Sequence, residues 1–187
     1  MQRTWQQNGK RVQESAAAAS SPFRLPDAGS AMQGALARAL DYSARKLGLS
    51  GPHASLERVR QGDRSALEYC HYRLAYEVAG ALCALDASVQ SVSVYEGEAT
   101  PEDHALGERS EVLPIHLLVW VDRKTSALSV LIAALEHALV KDYAEMIGPR
   151  RLAHILDVQV IDGRDVENHQ GAAALLNSLY KRPIQLL

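Results

Sequence analysis

The sequence predicts an α/β (α+β) fold: a small mixed sheet with flanking helices, preceded by a helical extension. Two observations carry this. Between Asp63 and Leu187, segments with helical spacing of apolar residues alternate with short runs rich in β-branched residues, joined by turns. Within that order, Ile115–Val121 is a continuous apolar run of the kind found in a central strand covered on both faces.

Residues 1–28 are rich in Gln, Ser, Ala and Pro and lack periodicity, so a disordered tail is expected there. Residues 29–62 read as a helical extension and linker. Ser30 is placed to cap a helix of about 18 residues that aligns Met32, Leu36, Ala39, Leu40 and Leu47 on one face. Gly48 and the cluster Ser50-Gly51-Pro52 stop it, and Ser55–Arg60 suits a short helical turn. Residues 63–187 form the predicted α/β domain. Asp63 caps a helix whose stripe is Leu67, Cys70, Leu74, Val78, Leu82 and Leu85.

A strand is predicted over Val89–Tyr95, then an acidic, turn-rich loop from Glu96 to Glu111, then the central strand. Thr125 or Ser126 caps a long helix with Leu128, Leu131, Ile132, Leu135, Leu139, Tyr143 and Met146 on one face, ended by Gly148-Pro149. In the third strand, Ile155–Ile161, Leu156, Val158 and Val160 make an apolar face, while Asp157 and Gln159 fall on the other. Asp162-Gly163 turns the chain into a last helix, expected from about Glu167 to Arg182. Pro183 ends that helix, and the apolar tail Ile184–Leu187 is free to pack back.

Composition narrows the function classes. No apolar run reaches the ~18 to 20 residues of a membrane-spanning helix, and the first residues lack the pattern of a secretory signal. Cys70 and Cys83 lie on one predicted helix, roughly 20 Å apart at ~1.5 Å per residue. That is too far for a disulfide, so both read as small buried hydrophobes of a reducing, cytoplasmic setting. Residues 1–62 hold nine Lys/Arg against four Asp/Glu, and residues 63–187 hold eleven against eighteen. The basic residues are scattered, without interleaved aromatics, and the acidic domain repels a phosphate backbone. Both points argue against nucleic acid as a partner.

The second half also has a recognisable order. Ser91–Asp103 supplies a strand and loop, Pro114–Asp122 a second strand, His154–Asp162 a third, and Ala174–Leu186 a closing helix and tail. This order resembles the core of the nucleotidyltransferase superfamily. The resemblance implies a Gly-Ser loop after the first strand, an Asp-x-Asp pair on the second and a third carboxylate on the next. In that family these carboxylates hold two Mg²⁺ ions that bind the triphosphate and activate the acceptor hydroxyl. Here the Asp-x-Asp position carries Pro114-Ile115-His116, and Tyr95-Glu96-Gly97-Glu98 stands in place of the Gly-Ser pair. Only Asp157 sits where the third carboxylate belongs, and one carboxylate cannot assemble a two-metal site. The expectation is therefore a catalytically inactive nucleotidyltransferase-like domain, a pseudoenzyme that binds a protein partner or self-associates, with no catalytic, cofactor or metal residues.

The class-level alternative is an enzyme acting on a small substrate. His116 and Asp157, with Gln159 adjacent and Glu96 from the loop, would face each other across neighbouring strands and orient an imidazole for acid–base work. Other clusters carry less. The acidic loop Glu96, Glu98, Glu102, Asp103, Glu108 and Glu111 lacks the spacing that wraps Ca²⁺ and reads as solvated. Glu68 and His71 share a helix face but lack the second pair of a carboxylate-bridged iron site. Glu136, His137, His154 and His169 read as isolated surface residues.

Overall fold

A computed structural model of the chain describes residues 28–95, 114–147, 154–175 and 182–187. The expected tail, apart from Ala28, and the acidic loop from Glu96 to Glu111 lie outside the described residues. The elements are α1 (Ala28–Met32), α2 (Ala35–Leu47), α3 (Pro52–Arg60), α4 (Arg64–Leu85), β1 (Val89–Val94), β2 (Ile115–Val121), α5 (Ser126–Ile147), β3 (Leu156–Ile161), α6 (Gly163–Asn168), α7 (Ala172–Leu175) and β4 (Ile184–Gln185).

The strands form one mixed sheet in the order β3-β2-β1-β4. β2 and β3 run parallel, joined through α5, and β1 is antiparallel to both β2 and β4. The apolar segment Ile115–Val121 is central, as its composition requires: an edge strand so hydrophobic would invite pairing with other chains. Its burial differs from expectation. Ile115, Leu117, Val119 and Val121 are buried, whereas His116, Leu118 and Trp120 between them are only half-buried. One face of the sheet meets the helices, and among the described residues nothing covers the other to the same depth. The apolar run thus reflects a one-sided core plus large residues on a semi-exposed face.

The core is continuous from the sheet into the N-terminal helices. Met32, Leu36, Ala39 and Leu40 share it with Leu74, Val78 and Leu82 of α4, with Leu131, Leu135 and Leu139 of α5, and with the inner residues of β2. The extension at 29–62 therefore lies against the chain's own core. Its expected single helix is split, because Gly34 takes a left-handed conformation (φ 70°) that ends α1 and starts α2. Met32, Leu36 and Leu40 keep their common face across the break. Ser30 lies inside α1 rather than capping it. At the other end of α2, Gly48 is left-handed, and the amides of Gly48 and Leu49 donate to Arg45 and Ala44 carbonyls, which closes the helix. Pro52 starts α3 at its first turn, where its missing N–H costs nothing.

Side-chain caps mark the later helices. The Ala66 amide donates to Asp63 Oδ1 at 3.1 Å, and the Leu128 amide to Thr125 Oγ1 at 3.1 Å. α6 begins with a reciprocal box: Asp162 accepts from the amides of Arg164 and Asp165, and Asp165 accepts from the Asp162 amide. The expected helix from Glu167 to Arg182 is corrected here. His169 and Gly171 both have positive φ, so α6 ends before them and the next helix, α7, starts at Ala172 instead of Glu167, and residues 176–181 lie outside the described residues. The tail Ile184–Leu187 does pack back, as β4 beside β1: the Leu186 amide donates to the Val92 carbonyl at 2.8 Å. Asp162→Ala is expected to destabilise the fold by about 1 kcal/mol in urea denaturation, since it removes the acceptor for two otherwise unpaired amides. An unchanged midpoint would show that the box contributes nothing.

Candidate functional site

The half-buried face of the sheet holds the candidate residues, and strand register decides which of them meet. In the parallel pair, His116 lies opposite Asp157 and Leu118 opposite Gln159. Both pairs share the face away from the helices because residues in register point the same way. His116 Nδ1 lies 2.8 Å from Asp157 Oδ2. A carboxylate only accepts, so Nδ1 is the donor in this contact, and Nε2 has no hydrogen-bond partner among the described residues. Gln159 Nε2 donates to the other oxygen, Oδ1, at 2.9 Å. The His–Asp pairing expected from the sequence is therefore present, with Gln159 as its third member.

A fourth member, Tyr95, escaped the sequence reading. It directly follows β1, and its amide donates to the His116 carbonyl at 3.2 Å. Its ring stands 5.4 Å from the His116 ring, centroid to centroid, and its hydroxyl makes a long contact of 3.5 Å to Asp157 Oδ2. Partial burial, and then the Asp157 charge, push the phenol up to about 12, so it serves as a donor and not as a base. The alternation of β1 was the available signal: Ser91, Ser93 and Tyr95 share one parity, opposite Val92 and Val94. The site is open. The Asp157 side chain is 41% exposed and that of His116 26%. Glu96, the remaining sequence candidate, lies outside the described residues.

The other candidates stay apart. Glu68 pairs with Arg64 on the surface at 2.8 Å. His71 points inward, with its ring 6.4 Å from that of Tyr143. The expected isolation of Glu136 and His154 is corrected, since His154 Nδ1 lies 3.0 Å from Glu136 Oε1 across the α5–β3 connection. Cys70 and Cys83 are both free thiols, and burial pushes Cys70 up to about 12, which leaves it unreactive. Among the described residues, no group of three or more His, Cys, Asp or Glu side chains is placed to hold a metal ion. An open groove of about 450 Å³, lined by Gly29, Gln33, Lys141 and Asp142 among others, lies between α1 and α5. It holds none of the candidate chemistry, and geometry at the His116–Asp157 pair is the better guide to a site.

The fold and site define a four-stranded mixed α/β domain with one helix-covered face and a polar cluster on the other. No helix of the described residues is long and apolar enough to cross a membrane. Comparison with protein-family models, curated proteins and solved structures yields no match to this chain.

Proposed function

We propose that this chain is a nucleotidyltransferase-like domain that does not transfer nucleotides and works by binding a protein partner or a second copy. The observation that supports this best is the state of Asp157. It is the single carboxylate in the polar cluster of the described residues, and its oxygens are engaged by His116, Gln159 and, at longer range, Tyr95. A two-metal site needs several carboxylates with lone pairs turned to the ions, and a neutral imidazole is a poor replacement at a hard cation. The cluster is a hydrogen-bonded polar platform, fixed by strand register.

The full chain incubated with labelled nucleoside triphosphates and Mg²⁺ or Mn²⁺ is expected to transfer no label to itself, to RNA or to small hydroxyl acceptors. Transfer that disappears in Asp157→Ala would overturn the proposal.

One observation favours a second reading. His116 Nε2 has no hydrogen-bond partner among the described residues while Nδ1 is held by Asp157, the arrangement of an imidazole ready to take a proton. On that reading the chain is an enzyme for a small substrate with His116 as base and Asp157 as its positioning residue. Turnover of p-nitrophenyl acetate or p-nitrophenyl phosphate that is lost in His116→Ala would favour it over the binding module.

A further inference from the structure

Four of the chain's seven tyrosines converge on the outer surface of the α2–α4 pair. Tyr69, Tyr72 and Tyr76 recur at helical spacing on α4 and are 37–40% exposed, where most large apolar residues are buried. Tyr42 of α2 stands between the first two, with ring centroids 6.5 Å from Tyr69 and 6.2 Å from Tyr72. Cations rest on this group: Lys46 Nζ lies 5.5 Å over the Tyr42 ring, and the Arg73 guanidinium 4.9 Å over Tyr76. Exposed tyrosine beside arginine is the composition that marks the energetic centre of protein interfaces.

Charge narrows the occupant. Residues 35–85 carry seven Lys/Arg and five Asp/Glu, whereas the described residues of 114–175 carry four and eight. Residues 35–85 thus carry a small positive excess in a chain that is acidic overall, although on α2 and α4 Arg38 and Arg73 are both ion-paired with Glu77, Arg45 with Asp41 and Arg64 with Glu68. Lys46 has no carboxylate partner among the described residues. Two copies docked through this surface would bring like charge together, which disfavours self-association here. Base stacking needs open ring faces, and one face each of Tyr42 and Tyr76 is already covered by a cation. What remains on offer is phenol hydroxyls, which donate well to carboxylates, apolar ring surface and the Lys46 ammonium, since the Arg73 guanidinium is already ion-paired with Glu77.

From the clustering of Tyr42, Tyr69, Tyr72 and Tyr76 with Lys46 and Arg73, we infer that the α2–α4 surface is a docking site for an acidic peptide segment of a partner protein, anchored by an apolar side chain between the tyrosines. This names the partner class for the binding-module reading and rests on it. Whether nucleotides are transferred is a separate measurement, so either idea can fail alone.

The test is selection of a random peptide library displayed on phage against the full chain, followed by fluorescence polarisation with the synthesised winner. The expected winners carry Asp or Glu around Leu, Phe or Trp and weaken as salt is raised. Their affinity should fall at least about tenfold in Tyr72→Ala. Chemical-shift mapping on the unsubstituted chain supplies a readout that does not depend on the variant folding, and it should light up α2 and α4. Winners without acidic bias, or shifts confined to the sheet face, overturn the inference. So does binding of oligo-uridylate that is lost in Tyr72→Ala, or a dimer that the same substitution dissolves.

Discussion

Replacing Leu117 with alanine is expected to lower the unfolding free energy by about 2–5 kcal/mol, while Leu118→Ala on the neighbouring residue costs about 1 kcal/mol. The two leucines differ only in the way they point. Leu117 is fully buried at the centre of β2, flanked in register by Val94 and Val158 and covered by the helices. Its truncation opens a cavity in a close-packed layer whose neighbours are held by the sheet and relax little. Leu118 lies on the other face, between Ser93 and Gln159, and is half-buried, so less apolar surface is at stake. Urea denaturation of both variants with an unchanged slope measures the difference. Equal and large losses would mean that both faces of the sheet are covered.

That comparison also marks what the sequence could and could not convey. Ile115–Val121 was legible as a central strand because only a paired, largely buried strand accommodates such a run. Its one-sided burial was not, because Leu118 and Trp120 are as apolar as the residues that face the core. The juxtaposition of His116 with Asp157 was legible because the two segments flank a single long helix, the connection of a parallel pair. The break at Gly34 was hidden by a stripe that continues through it: Met32 and Leu36 lie four apart whether or not the intervening turn is helical. The start of the last helix was hidden similarly, since nothing in the residue types around Glu167 announces the left-handed turn at His169 and Gly171 that delays it to Ala172.

The aromatic cluster was the least legible feature. Aromatics make up 5% of the chain, and although residues 69–76 hold three tyrosines, nothing in the sequence says that the fourth joins them. Tyr42 joins Tyr69 and Tyr72 only because α2 packs along α4, an arrangement fixed by Ser43 donating to the Ala66 carbonyl and by the Arg38–Glu77 ion pair at 2.7 Å. Tertiary packing completed the surface: spacing along α4 reveals three of the four rings, and Tyr42 comes from α2.

Stability should fall between about pH 6.5 and pH 4 because of His71, and His71→Leu should abolish most of that fall. The imidazole Nε2 is shut off from solvent and has no hydrogen-bond partner among the described residues, although another edge of the residue reaches the surface. Burial pushes the ring from 6.5 down to about 4. The sign follows from proton binding. Between these values the unfolded chain binds a proton that the folded chain refuses, so acidification favours unfolding. The stability is fully present above the unfolded value of 6.5 and is lost progressively as pH falls towards about 4. At ~1.4 kcal/mol per pKa unit, the loss is about 2 kcal/mol at pH ~5 and about 3 kcal/mol at the end of the window. Glu77 and Asp165, whose carboxyls are held low by Arg38 and Arg73 and by Lys124, contribute an acid loss of their own that sets in at lower pH. Urea unfolding of the full chain and of His71→Leu at pH ~7.5 and pH ~5 therefore isolates the imidazole. The variant should lose less stability than the parent over that interval by about 2 kcal/mol, and parallel losses would show that the His71 ring is solvated or partnered in the folded protein.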